Sequence, residues 1–120
     1  MKKTTLVLGA SVNTERYSNK AIHKLRANNL KVFAIGAKKG IVLDVNIEKE
    51  KVLFEDVDTV TLYLNPTRQK EYYNYVLELK PRRVIFNPGT ENLEFEKVLK
   101  ESGIETEIAC TLVLLSINQY

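Results

Sequence analysis

The chain has 120 residues, of which 44% are hydrophobic and 28% charged, so it can form one domain, residues 1–120, around a hydrophobic core. No apolar run approaches the roughly 20 residues that a membrane-spanning helix needs, and the first residues lack the apolar region of a signal peptide. One cysteine and one histidine exclude an internal disulfide and a zinc site with four Cys or His ligands in a monomer. We therefore expect no metal site, and a reducing, cytoplasmic setting.

Charge is distributed unevenly along the chain. Residues 1–39 contain nine Lys or Arg and one acidic residue, whereas residues 40–120 contain nine Lys or Arg and fourteen acidic residues. A basic first third favours an anionic small-molecule ligand. Nucleic acid is disfavoured because the later part is acidic and carries no recognition-helix or stacking motif.

The first forty residues predict a strand–helix–strand unit. Thr4–Leu8 is an apolar run typical of a strand buried on both faces. A loop, Gly9–Tyr17, leads to a helix that ends near Ala27 and is capped by Ser18 or Asn19. A second buried strand, Lys31–Ile35, follows. Because such crossovers are right-handed, the two strands should be parallel neighbours with the glycine loop at their carboxyl ends.

The rest of the chain continues the alternation. Short extended pieces are expected near Val42 and Val52. The predicted strands are Asp58–Leu64, Arg83–Phe86 and Ile104–Ala109. The predicted helices are Asn65–Leu79, a segment from Thr90 or Asn92 to Glu101, and Thr111–Asn118, where a strand is the alternative. The pattern predicts an α/β fold with a doubly wound, mostly parallel five-stranded sheet and helices on both faces.

Ligands of doubly wound sheets bind beyond the carboxyl ends of the strands. The loop after the first strand contains Gly9, Ala10 and Ser11. Gly9 has no Cβ, so its backbone can approach a ligand. Ser11 offers a hydroxyl group near the positive end of the next helix, an arrangement that suits phosphate. The other glycines of the dinucleotide fingerprint are missing.

The end of the second strand discriminates between nucleotides. NAD-binding domains place an acidic residue about 20 residues beyond the glycine loop to hold the ribose hydroxyls. Here the sequence has Gly36, Ala37, Lys38 and Lys39, without an acid. Lysine can pair with a phosphate on the ribose. NAD is therefore disfavoured, and NADP and coenzyme A remain.

Two further residues have ambiguous roles. Cys110 is a small residue suited to burial, but at the start of the last helix its thiol would be more reactive. His23 lacks the Ser and Asp partners of a catalytic triad and is interpreted as a surface or packing residue.

The order of the motifs resembles that of the small single-domain CoA-binding proteins, which are related to the CoA-binding domain of the succinyl-CoA synthetase alpha subunit. The resemblance rests on segments spread over nearly the whole chain: Gly9-Ala10-Ser11, Tyr17-Ser18, Val32–Lys38, Val57-Asp58, Asn65-Pro66, Asn87-Pro88-Gly89 and Cys110. Gly36-Ala37 replaces an Asn-Pro pair that is common in that family, and Asn13–Arg16 differs from its usual loop.

The resemblance implies a Rossmann-like fold in which Gly9 and Ser11 hold phosphates and Lys38 contacts the nucleotide end. We expect a non-catalytic protein that binds CoA or acyl-CoA. The alternatives are an NADP-binding oxidoreductase module and a redox or regulatory module in which Cys110 forms a mixed disulfide with CoA. A protein partner or a homodimer remains open. The predicted cofactor-binding residues are Gly9, Ala10, Ser11, Tyr17, Ser18, Gly36, Lys38, Lys39, Asn65, Pro66, Asn87, Pro88 and Gly89.

Overall fold

A computed structural model describes residues 3–120 and shows one sheet with helices on both faces. The strands are β1 (Thr5–Ala10), β2 (Val32–Gly36), β3 (Gly40–Val42), β4 (Val45–Glu48), β5 (Thr59–Leu62), β6 (Arg83–Phe86) and β7 (Glu105–Ile108). The helices are α1 (Tyr17–Ala27), α2 (Pro66–Gln69), α3 (Tyr73–Leu79), α4 (Leu93–Glu101) and α5 (Thr111–Ser116), and a 3-10 turn, Lys70–Tyr72, joins α2 to α3.

The strand order is β3-β4-β2-β1-β5-β6-β7, and every neighbouring pair is parallel except β3 with β4. The doubly wound architecture is therefore confirmed. Because the chain leaves β1 first toward β2 and later toward β5, the strand order reverses at β1. Crevices at such reversals are where open α/β sheets bind ligands.

The predicted number of strands was wrong, because β3 and β4 form a hairpin that extends the sheet to seven strands. The extended piece near Val42 belongs to β3, but Val52 lies in no strand. The hairpin has the expected alternation, with Val42, Val45 and Ile47 buried. Its turn places Leu43 at φ 55°, a conformation that is uncommon for leucine, so the residue gives no turn signal.

Three helix boundaries also differ from the prediction. Helix α1 begins at Tyr17, so neither Ser18 nor Asn19 is its cap. The Asn19 side chain instead donates a hydrogen bond to the Ser11 carbonyl (3.0 Å). The segment after Asn65 is not one continuous helix, because the 3-10 turn interrupts it. Helix α4 is capped by Asn92, and the last segment is helical, as predicted.

Two apolar layers enclose the sheet. On one face, α1 and α5 contribute Ile22, Leu25 and Leu115 to a cluster that includes Val7 and Ala34. On the other face, α3 and α4 cover the sheet through the residues Val76, Phe95 and Leu99, which pack with Leu6 and Phe86. β1 contributes to both layers, as its continuous apolar sequence predicts for a central strand.

The helices within residues 3–120 are all too short to cross a membrane as an apolar span. The longest, α1, has 11 residues.

Candidate functional site

A cleft with a volume of about 490 Å³ opens at the carboxyl edge of the sheet, where the loops after β1, β2 and β5 meet. Five of the predicted site residues line this cleft: Gly9, Ala10, Ser11, Lys38 and Asn65. The structure thus brings together the glycine loop and the lysine that lies 29 positions beyond it in the sequence. The separation in sequence is closed because β1 and β2 are parallel neighbours.

Other predicted residues lie around the cleft without forming its wall. Gly36 is buried beneath it, where an added Cβ would lie 2.2 Å from the Ala10 carbonyl oxygen. Ser18 is buried in the first turn of α1, whereas Tyr17 and Lys39 are exposed. Their contact with a ligand stays a prediction.

The two Asn-Pro motifs differ in their roles. Asn65 caps α2 by accepting a hydrogen bond from the Arg68 amide (2.9 Å), and Pro66 occupies the first helical position. The Asn87 side chain is buried and binds other protein groups. It donates to the Thr61 hydroxyl (2.6 Å) and the Leu62 carbonyl (2.9 Å) and accepts from the Thr111 amide (2.9 Å).

These bonds use both amide protons of Asn87 and tie β6 to β5 and to the start of α5. Pro88 and Gly89, which follow it, are exposed. Contact of this loop with a ligand stays a prediction, and it would have to come from the backbone or from those two exposed residues.

The loop after β1 is held in shape by its own side chains. Gly9 has φ +100°, and a Cβ there would lie 3.0 Å from the Tyr63 carbonyl carbon, so the position favours glycine on both counts. The Ser11 hydroxyl accepts a hydrogen bond from the Asn13 amide (3.0 Å), and the Asn13 side chain accepts from the Glu15 amide (2.9 Å). The Ser11 hydroxyl proton remains free to donate to a ligand.

The amino-terminal end of α1 adjoins this loop. Its cap residue, Arg16, makes no side-chain capping bond, and the first turn contains no acidic residue. The amides of Asn19 and Lys20 donate to the Arg16 carbonyl, but those of Tyr17 and Ser18 have no acceptor within residues 3–120. Such unpaired amides, together with the helix dipole, attract anions.

Three cationic side chains line the cleft: Arg16, Lys38 and Arg68. In the part of the chain that the structure describes, none of the three forms an ion pair, and the cleft walls contain no Asp or Glu. The site is therefore positively charged and uncompensated, as an anionic ligand requires.

The sequence did not single out Arg16 or Arg68. Arg16 lies in a loop segment that matches no motif. Arg68 follows Asn65 by three residues, and this spacing placed it in the first helical turn beside the cleft. The helix-start signal was present in the sequence, but it does not tell which side of the turn faces a ligand.

Tyr63 lines the floor of the cleft. Burial raises the pKa of Tyr63 to about 12, although the neighbouring hydroxyls of Thr111 and Thr61 oppose the shift. Its phenol therefore stays protonated at neutral pH and can donate a hydrogen bond to a ligand.

The remaining candidate residues lie off the cleft walls. Cys110 is half-buried at the cap position of α5, and its proposed reactivity stays a prediction. His23 is exposed, and its Nδ1 lies 3.0 Å from the Asn19 carbonyl oxygen of its own helix. Within residues 3–120, no three His, Cys, Asp or Glu side chains come close enough together to hold a metal ion.

Solved structures with the same fold extend over nearly the whole chain. An uncharacterised protein of known crystal structure is 51% identical, with a TM-score of 0.97 and coverage of 100% of this chain and 99% of its own. A Thermus thermophilus protein is 26% identical, with a TM-score of 0.87 and coverage of 99% and 91%. A hypothetical protein from Pyrococcus horikoshii OT3 is 28% identical, with a TM-score of 0.81 and coverage of 93% and 80%.

No curated protein sequence matches the chain. The family model described as "CoA binding domain", in contrast, matches residues 3–116, which include every strand, the cleft and all of α5. The match agrees with the Rossmann-like architecture and with the resemblance found in the sequence motifs. The chain therefore belongs to the CoA-binding domain family.

Proposed function

We propose that the cleft binds CoA or an acyl-CoA and that the domain acts as a binding module without chemistry of its own. The observation that carries this proposal is the set of three unpaired cations, Arg16, Lys38 and Arg68, around one cleft of a CoA-binding fold. CoA carries a diphosphate and a separate phosphate on its ribose, so it presents negative charge at two places. The cations lie on different loops, as recognition of two separate anionic groups requires.

In this proposal the diphosphate lies on the loop Gly9–Ser11. Gly9 lets the backbone approach the phosphate, the Ser11 hydroxyl donates to it, and the free amides of Tyr17 and Ser18 add the dipole of α1. Arg16 and Arg68 contribute charge on either side. An arginine side chain can donate two parallel hydrogen bonds to a phosphate, which makes it suited to this position.

Lys38, assisted by Lys39, meets the phosphate on the ribose. Lys38 follows β2, the strand position from which nucleotide-binding sheets contact the ribose. The pantetheine arm then runs along the loops that contain Asn65-Pro66 and Asn87-Pro88-Gly89, with the phenol of Tyr63 at the floor as a hydrogen-bond donor.

A binding role without catalysis is supported by the chemistry of the walls. Within residues 3–120, the lining contains no carboxylate and no histidine that would act as a general base. Tyr63 does not serve as a base near neutral pH, because its pKa is raised to about 12. The side chains of the cleft donate hydrogen bonds and carry positive charge, which serves retention of an anion.

Calorimetric titration with CoA, dephospho-CoA, NADP and NAD tests the proposal. We expect saturable binding of CoA and weaker binding of dephospho-CoA, which lacks the ribose phosphate. No heat with CoA but saturable binding of NADP would reverse the assignment toward a nicotinamide-binding module, the alternative that shares the ribose phosphate.

Replacing Lys38 tests the position of the ribose phosphate. Lys38→Ala should weaken CoA binding about tenfold, equivalent to about 1.4 kcal/mol, and should leave dephospho-CoA binding unchanged. Arg16→Ala should weaken both ligands similarly, because both contain the diphosphate. Lys97→Ala, which removes an exposed lysine from α4, is the matched control. Equal losses of both ligands in Lys38→Ala would contradict the placement.

A further inference from the structure

Helix α5 exposes an apolar surface that the proposed CoA site does not use. Val113 and Ile117, four residues apart, are 52% and 56% exposed, and Ser116 lies between them on the outward side. Leu112 and Leu114 are half-buried at the flanks. We call these five residues the α5 face. The last charged side chain in the sequence is Glu107, so the α5 face and its surroundings from residue 108 onward carry none.

The other helices are different. Each exposes at least one charged side chain: Lys20 on α1, Arg68 on α2, Glu78 on α3 and Lys97 on α4. Isolated exposed apolar residues are ordinary on protein surfaces, but a helix whose whole outward side is uncharged is typical of an interface.

The charges on either side of the α5 face indicate its partner. Helix α5 packs beside α1 and is tied to β5 by the hydrogen bond between Thr61 and Thr111 (2.8 Å). On the α1 side lie Lys20 and Lys24, which form no ion pair within residues 3–120. On the opposite side lies the sheet edge β7, which carries Glu105 and Glu107.

We propose that the α5 face binds a second copy of this chain around a twofold axis that runs parallel to α5. A twofold axis brings each residue on it against its own counterpart, so an uncharged surface avoids like-charge repulsion there. With this axis direction, the basic α1 of one copy faces the acidic β7 edge of the other. An axis perpendicular to α5 would instead place α1 against α1 and β7 against β7.

The size of the interface supports the same arrangement. A stable dimer buries about 800 Å² on each partner, which is more than one short helix offers. The contact therefore extends to α1 and β7 on either side, where the charges are complementary. The cleft at the carboxyl edge stays open in this dimer, so CoA binding and dimerisation are separate properties.

Sedimentation or light scattering of the whole chain tests the interface. We expect a dimer for the unmodified protein and a monomer for the double variant Val113→Glu/Ile117→Glu, because four carboxylates would meet at the axis. Leu93→Glu is the matched control, since Leu93 is 84% exposed on α4 and the variant should stay dimeric. Circular dichroism establishes that the variants are folded. A monomeric unmodified protein, or a folded double variant that stays dimeric, would overturn the proposal.

Cysteine crosslinking tests the direction of the axis. In a Cys110→Ser background, Val113→Cys and Ile117→Cys should each give a disulfide-linked dimer on mild oxidation, because with a parallel axis both positions meet their counterparts. Leu93→Cys should give none. Crosslinking at only one of the two α5 positions would overturn the parallel axis, and crosslinking at neither would overturn the interface.

Discussion

Gly36 ends β2 at the place where its backbone comes closest to β1. The register between the two strands shifts between Leu8 and Ala10, which brings the Ala10 carbonyl oxygen to 2.2 Å from where a Cβ on Gly36 would lie. The neighbouring atom is backbone in the central strand, so it cannot rotate away. The absence of a side chain at Gly36 is therefore what lets the two halves of the cleft meet.

We predict that Gly36→Ala destabilises the protein by about 3 kcal/mol, because the added methyl group forces the two central strands apart. Urea unfolding followed by circular dichroism measures the change. The control is Ala37→Ser at the exposed neighbouring position, which should change the unfolding free energy by less than about 0.5 kcal/mol. Equal stability of Gly36→Ala and the parent protein would show that the strands separate easily at this point.

The sequence predicted some of the site residues and not others, for reasons that differ from residue to residue. Ser11 and Lys38 were identifiable because each directly follows a buried strand, and parallel strands end at one edge. Arg16 and Arg68 were not, since a cation in a first helical turn looks the same in sequence whether it faces solvent or a cleft. Asn87 was predicted to line the ligand path, but its amide bonds to protein groups, because Asn-Pro-Gly specifies a turn without specifying where the side chain points.

Helices α2 and α4 begin with the same capping residue in different surroundings. Asn65 accepts one hydrogen bond from the Arg68 amide and is exposed. Asn92 accepts one from the Phe95 amide (3.1 Å) and also donates to the Gln69 side chain (2.9 Å), which is fully buried. The two caps thus share one role, and only Asn92 also links two helices through a buried network.

We predict that Asn65→Ala costs about 1 kcal/mol of unfolding free energy, the usual value of a cap. Asn92→Ala should cost about 3 kcal/mol, because it also leaves the Gln69 oxygen buried without a donor. Each variant is the control for the other, and chemical denaturation measures both. Equal losses would mean that the buried network adds nothing beyond capping.

At the level of elements, the sequence was informative where apolar runs were long. The five strands that alternate with helices were each predicted within about two residues at most boundaries, since burial on both faces leaves a continuous apolar run. The β3–β4 hairpin escaped because its strands have three and four residues and its turn contains Leu43 where glycine or asparagine would give a signal. The break between α2 and α3 has no glycine or proline to mark it.

Five tyrosines couple the folded state of the whole molecule to alkaline pH. Burial raises the pKa values of Tyr63, Tyr72, Tyr73, Tyr75 and Tyr120 above the ordinary value. The folded chain therefore holds phenolic protons more tightly than the unfolded chain does. The resulting stability is complete below about pH 10, the pKa of an unperturbed tyrosine, and is lost as the pH rises through the folded values.

We predict that the urea midpoint falls steeply between about pH 10 and about pH 12, where unfolded tyrosines ionise and Tyr63 does not. In Tyr63→Phe the fall should be shallower, since one of the groups that causes it is gone. Tyrosinate absorbance, recorded in the same titration, should appear at higher pH in the folded protein than in urea. Identical pH dependence in the variant and the parent would contradict the role of Tyr63.

The whole fold followed from the sequence more completely than its parts did. Alternation of strands and helices with right-handed crossovers is enough to order the central strands, and that order alone brings residues 9–11 and 38 to one edge. What the alternation does not contain is the surface of α5, because its apolar residues are spaced like those of a helix buried on one side. Only the packed structure shows that Val113 and Ile117 point outward.

Lys3 and Tyr120 lie together, with the Lys3 amino group donating to the Tyr120 carbonyl (3.1 Å) and the Tyr120 phenol against the Thr5 hydroxyl at the start of β1. Both positions are at the amino-terminal edge of the sheet, and the cleft is at the carboxyl edge. A probe attached to a surface through either of these positions would hold its ligand mouth toward the solution. A short peptide joining them would permit a circularly permuted chain that is opened elsewhere, with the cleft undisturbed.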